Sequence, residues 1–173
     1  MHGIHTMTPD IGALLRRDHT DLESGLDELA RPLSDIPEIR STLDGVRLGL
    51  AAHVEAEDIV LYQAFARFVP APRLRMLVAQ GRAAHLTQEG ALSALVSSRP
   101  GSSVWRDRAA HLRDLIHEHA IQEATQTMPL LRDYAPVEVY QTLAGRFATE
   151  RLRQLAMLQP SAPIYSYAQL ASL

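Results

Sequence analysis

Residues 46–68 read VRLGLAAHVEAEDIVLYQAFARF, and this stretch decides the fold. Its apolar side chains recur at the three- and four-residue spacing of a helix with one buried face. The members of this stripe are Val46, Leu50, Val60, Ala64 and Phe68. His53 and Glu57 share one helical face, because residues four apart are separated by about 6 Å along the axis. An imidazole and a carboxylate in this arrangement can bind the same metal ion.

The same His-x-x-x-Glu pattern occurs four times, with successive starts 34, 32 and 34 residues apart. Random placement of 8 His and 10 Glu in 173 residues would give about 0.5 such pairs. The even spacing therefore predicts four helices that direct their His side chains to one metal centre. The pairs are His19/Glu23, His53/Glu57, His85/Glu89 and His119/Glu123.

Composition narrows the class of protein. The 173 residues are 46% apolar with only three Phe and one Trp, which suits one helical domain with an aliphatic interior. The net charge of −3 and the lack of a basic run argue against nucleic acid or an anionic membrane as a partner. Cysteine is absent, so thiolate catalysis and cysteinyl metal sites are excluded. His and carboxylates remain as the available metal ligands.

Pro and Gly divide the chain into four long amphipathic segments followed by a fifth. Short turns make consecutive helices antiparallel neighbours, which predicts an all-α, up-down-up-down four-helix bundle over about residues 9–132. Pro129 should kink or end the fourth helix. A further helix is predicted over 136–158, so that residues 1–158 form a single domain, and 159–173 is predicted to be an irregular tail.

The expected location is the cytoplasm. The first ten residues, MHGIHTMTPD, lack the apolar run of a signal peptide. No segment approaches the roughly 18 continuous apolar residues that a membrane span requires.

The four Glu residues differ in their position on the helical wheel. Glu57 and Glu123 lie near the centre of an apolar stripe, where an ionised carboxylate is unfavourable unless it is paired or binds a metal. Glu23 and Glu89 lie about 70–85° from the stripe centre, so they are predicted to be flanking residues in solvent or acceptors from a His N–H, with additional metal ligation as the alternative. His111 and His117 are predicted to lie on the surface. Asp18 and Asp58 are predicted to be polar neighbours of the ligands.

Four short motifs carry a resemblance to a known family. RRDH at 16–19, HVEAED at 53–58, AAH at 83–85 and HAIQE at 119–123 resemble the hemerythrin-like HHE cation-binding family, over about residues 10–132. The resemblance implies a non-haem centre of two iron ions joined by an oxo or hydroxo group, with carboxylates bridging them. The ligands that it implies are His19, His53, Glu57, His85, His119 and Glu123.

One departure from the family pattern bears on function. Oxygen-carrying hemerythrins place a second His four residues after the helix 3 His, where this chain has Glu89. The arrangement is similar to a bacterial subgroup, including mycobacterial proteins, for which peroxide decomposition is described. If the site is di-iron, each iron has five ligands: two His nitrogens, one oxygen from each of the two Glu residues, and a bridging oxo or hydroxo group. One octahedral position then stays open on each iron. The leading hypothesis is therefore an iron-dependent, catalase-like enzyme that consumes hydrogen peroxide, with Glu57 and Glu123 holding the metals.

Other functions remain open. A protein that binds, senses or stores oxygen, nitric oxide or iron would use the same residues without turnover. A ferritin-like carboxylate oxidase is disfavoured because those sites use Glu-x-x-His, the reverse order. Zinc normally takes four ligands rather than the six available here. The expected partners are small molecules, namely hydrogen peroxide, oxygen or nitric oxide, and the oligomeric state is left open.

Overall fold

The computed structural model describes residues 10–32 and 36–159. The predictions for the beginning of the first helix before Asp10 and for the tail after Gln159 lie outside the described residues. Within them the chain is helical without strands, which confirms the all-α prediction. None of these helices is both long and apolar enough to cross a membrane.

Six α-helices and one π-helical turn make up the described part of the chain. Pro37, Pro72 and Pro136 each lie next to the first residue of a helix, where a missing N–H leaves no hydrogen bond unmade. The fourth helix is instead preceded by Ser102, whose side-chain oxygen accepts a hydrogen bond from the backbone N–H of Trp105 at 3.2 Å. The helices are α1 Ile11–Ala30, α2 Ile36–Phe68, α3 Ala71–Val96, α4 Ser103–Gln122, α5 Met128–Tyr134 and α6 Val137–Leu158.

The first four helices form the bundle, with α1 packed on α2 and α4, and α3 packed mainly on α4. The C-terminal helix α6 lies along α2 and also contacts α1. Its buried residues Leu143, Ala144 and Phe147 belong to the same apolar cluster as Leu61 and Phe65 of α2. The additional helix is therefore an integral part of the core and not a loosely attached extension.

The core consists of two apolar clusters at opposite ends of the bundle. The first contains Ile11 and Leu15 of α1, together with residues of α5 and α6. The second contains Leu22 and Leu26 of α1 and the completely buried Trp105 of α4. His19 follows the first cluster and precedes the second along α1. A polar layer thus separates the two apolar halves.

The fourth helix does not end at Pro129. A π-helical turn, Glu123–Thr127, joins α4 to α5, and the helical path continues to Tyr134. The backbone N–H of Met128 bonds to the carbonyl of Glu123, five residues earlier. Pro129 has no N–H to donate to the carbonyl of Thr125, and its ring would clash with that carbonyl in a regular helix. The wider turn relieves this clash without breaking the helix.

Candidate metal centre

Four imidazoles meet in the polar layer between the two apolar clusters. The Nε2 atoms of His19 and His53 lie 3.0 Å apart, and those of His85 and His119 lie 3.3 Å apart. Each pair therefore joins consecutive helices, α1 with α2 and α3 with α4. All four rings are buried, with no more than 7% of the residue exposed.

Glu57 lies between the two His pairs and faces both. Its Oε1 is 2.9 Å from Nε2 of His53, and its Oε2 is 3.1 Å from Nε2 of His85 and 3.6 Å from Nε2 of His119. The two carboxylate oxygens of Glu57 therefore lie next to different His pairs. This is the arrangement that a carboxylate bridging two metal ions requires.

Glu123 completes the cluster from the first residue of the π-helical turn. Its Oε2 lies 3.7 Å from Nε2 of His19. Ligand atoms of His19, Glu57, His119 and Glu123 all lie within 4.8 Å of one another, and His53 and His85 flank this central group. The structure therefore brings together the six residues that the sequence singled out.

The donor set fits metal ions. Oε2 of Glu123 is completely buried and has no hydrogen-bond partner among the described residues, whereas Oε1 of Glu57 is equally buried and lies 2.9 Å from Nε2 of His53. Buried carboxylate oxygens without partners are strongly unfavourable in a metal-free core. Two imidazole nitrogens bound at right angles to one metal, each about 2.1 Å from it, would lie about 3 Å apart. The observed separation within each His pair agrees with this value.

The charges of the metal-free site are unequally distributed. Burial lowers the pKa of His19 to about 3, and the neighbouring His53 adds to this effect. Burial opposes charge on His53 as well, but Glu57 and Asp18 outweigh it and raise the pKa of His53 to about 10. The pKa of Glu57 falls despite its burial because His53 stabilises the carboxylate. Burial and the charge of Glu57 raise the pKa of Glu123 well above its ordinary value.

Two aspartates lie on the outer side of the imidazoles of His53 and His85. Oδ2 of Asp18 lies 3.3 Å from Nδ1 of His53, which leaves Nε2 of that ring facing the cluster. The corresponding group on the other side, Oδ1 of Asp58, is 3.8 Å from Nδ1 of His85. A hydrogen bond to the outer nitrogen of a metal-binding His fixes its tautomer and orientation.

Glu23 and Glu89 lie outside the cluster. Glu89 is exposed on α3, and Glu23 lies 3.3 Å from Nδ1 of His117, a residue that is itself largely exposed. His111 is exposed as well. The buried residue on this part of α3 is Gln88, three positions after His85, and only 2% of it is exposed.

The sequence pattern missed one residue that reaches the site indirectly. Arg151 of α6 forms an ion pair with Asp18, the same carboxylate that contacts His53. The available signal was the spacing of Phe147, Arg151 and Gln154, which places an arginine on the buried stripe of α6. Phe147 of this stripe meets the ring of His53 edge to face, with centroids 5.8 Å apart.

A helical bundle with four buried imidazoles and two buried carboxylates in one layer defines a metal-binding helical protein. The hemerythrin HHE cation binding domain matches residues 10–158, and the chain belongs to this family. Membership implies cation binding, typically of iron. The match extends through α6, beyond the residues 10–132 that carry the short motifs. No curated protein and no solved structure matched the chain in the corresponding searches.

Proposed function

We propose that the protein holds two non-haem iron ions and decomposes hydrogen peroxide. The observation that carries the proposal is the position of Glu57, whose two oxygens face different His pairs. A site for one ion would need only one of these pairs. The six donor residues also exceed the four ligands that a single zinc ion normally takes.

One of the proposed ligands can bind a cation without first losing a proton. His19 is neutral at physiological pH because burial lowers its pKa to about 3, so its Nε2 lone pair is free to bind a cation. Asp18 holds His53 with Nε2 directed into the cluster. The apolar clusters on both sides exclude bulk water, which strengthens electrostatic interactions within the layer. When bound, a pair of iron ions would exchange two electrons with peroxide, so that one peroxide molecule is reduced to water and a second is oxidised to oxygen.

Oxygen evolution tests this proposal. Iron-loaded protein is mixed with hydrogen peroxide at an oxygen electrode, and metal content is measured on the same samples. We expect wild-type protein to evolve oxygen, and Glu57→Ala to lose both activity and the second iron. Glu89→Ala is the matched control, because Glu89 is an exposed Glu at the same spacing from its His, and it should retain both. Wild-type protein with two irons and no oxygen evolution would overturn peroxide decomposition.

The same preparation separates turnover from reversible binding. Stopped-flow spectra of the reduced protein mixed with oxygen should show direct oxidation without a long-lived oxygenated species. A stable oxygenated spectrum that reverses under argon would favour oxygen binding or sensing. The cytoplasmic location and the small-molecule partners stay predictions from the sequence.

A further inference from the structure

A small cavity leads from the surface of the bundle to one side of the candidate metal centre. It has a volume of about 70 Å³ and lies between α1 and the π-helical turn. Its inner wall includes His19 and Glu123, and its outer wall includes Arg16 and Arg132. We refer to this cavity as the side opening. Its remaining lining residues are Gly12, Leu15, Ala120, Ala124, Met128 and Pro129.

The inner end of the side opening carries an unsatisfied polar atom. Oε2 of Glu123 is buried, and it has no hydrogen-bond partner among the described residues. Glu123 is also the first residue of the π-helical turn, which is wider than a regular helical turn. Pro129, which excludes the regular helical register, lines the same cavity. The π-helical turn and the inner end of the cavity therefore both lie at Glu123, one of the proposed metal ligands.

The outer end is bordered by two guanidinium groups. Arg132 is held on the ring of Tyr140, 5.6 Å from its centroid, and donates to the Tyr140 hydroxyl at 3.4 Å. Arg16 extends over Gly12, where an added Cβ would lie 3.5 Å from its Nη1 and 3.1 Å from Oδ2 of Asp10. Asp10 and Asp133 lie near Arg132, but neither carboxylate lines the cavity, whereas the guanidinium groups of Arg16 and Arg132 do.

We propose that the side opening is the route by which small polar molecules, above all anions of two or three heavy atoms, reach the metal centre. Its volume suits a few water-sized molecules. Arg16 and Arg132 raise the local concentration of anions at its outer end. This inference rests on the proposed metal site but not on peroxide turnover.

Association kinetics of two probes test the charge of the route. Azide, a three-atom anion, and nitric oxide, a neutral molecule, are mixed with iron-loaded protein in a stopped-flow instrument. We expect Arg16→Gln and Arg132→Gln together to slow azide association roughly 3- to 10-fold at low salt and to weaken its salt dependence. Nitric oxide association should stay unchanged. Arg40→Gln is the control, because Arg40 is exposed beside Ile39 of the opposite apolar cluster.

A steric substitution tests the position of the route. Gly12→Val adds a side chain between Asp10 and Arg16, which narrows the route. Association and dissociation of azide and nitric oxide should therefore slow by the same factor, and Kd should stay unchanged. Gly45→Val is the matched control, because a Cβ at Gly45 meets nothing within 4 Å. If Gly12→Val folds poorly, Ala124→Leu narrows the same cavity from an exposed position.

Two outcomes would overturn the inference. One is unchanged azide kinetics in the narrowed variants, and the other is a wild-type protein with bound iron that shows no azide binding at all. Failure of peroxide decomposition alone would leave it standing, because azide association requires an accessible metal and no turnover. The two proposals can therefore fail separately.

Discussion

Arg151 of the C-terminal helix is ion-paired with Asp18 of α1, and Oδ2 of Asp18 lies 3.3 Å from Nδ1 of His53. Two consecutive contacts thus connect α6 with an imidazole of the candidate metal centre. Arg151 orients the carboxylate, and the carboxylate fixes the ring of His53. Arg151 acts through Asp18 and touches no metal-binding group itself.

Loss of this connection should weaken metal binding. We expect Asp18→Asn and Arg151→Ala each to reduce metal affinity by about 10- to 100-fold, since groups behind metal-binding His residues typically have effects of this size. Competition with a coloured chelator measures the affinity. Arg153→Ala is the matched control, because Arg153 lies on the same helix and pairs with Glu150 at the surface. Equal affinity in Arg151→Ala and wild type would refute a positioning role.

Metal binding should release protons and weaken as the pH falls. The pKa of His53 is raised to about 10, so His53 holds a proton near neutral pH, and burial and the charge of Glu57 raise the pKa of Glu123 well above its ordinary value. His19 is already neutral. We expect metal uptake to release at least one proton, from His53, and a further fraction from Glu123. Calorimetry in two buffers of different ionisation enthalpy counts them, and an affinity that is constant between about pH 6 and 8 would contradict the prediction.

Removal of Glu123, one of the two proposed metal-binding carboxylates, should stabilise the metal-free protein. Burial and the charge of Glu57 disfavour ionisation of Glu123, and its unpartnered oxygen disfavours folding. Glu123→Met should therefore raise the free energy of unfolding of the metal-free protein by about 1–3 kcal/mol and abolish the rise in Tm upon metal addition. Urea titration with and without metal measures both effects. Glu118→Met, at an exposed position of α4, is the control, and a less stable metal-free Glu123→Met would count against this reasoning.

The C-terminal helix should contribute substantially to stability. Phe147 is 1% exposed and packs in the cluster shared with α2, so Phe147→Ala should cost about 3–5 kcal/mol. Leu152→Ala on the same helix should cost little, because 66% of Leu152 is exposed. Chemical unfolding of the metal-free protein compares the two variants. Similar losses in both would show that α6 is not part of the core.

Much of the fold could be predicted because the patterns involved are local. Helical periodicity and Pro positions depend on neighbouring residues, and they predicted a last helix over 136–158, which the structure has as Val137–Leu158. The rotation of each residue around its helix separated Glu57 from Glu89 without tertiary information. The π-helical turn was not predicted. Pro129 is incompatible with a regular α-helical turn, but only the packing around Met128 decides whether the helix continues beyond this point or ends.

The sequence by itself determined the helices, the spacing of the four His residues and the central position of two Glu residues, since all of these follow from residues a few positions apart. Only the tertiary structure decided that Glu57 faces both His pairs, that α6 reaches His53 through Arg151 and Asp18, and that a side opening ends at Glu123. Each of these relationships joins residues distant in the chain. Their formation depends on how the helices rotate and slide as they bury their apolar faces, and no local pattern specifies that choice.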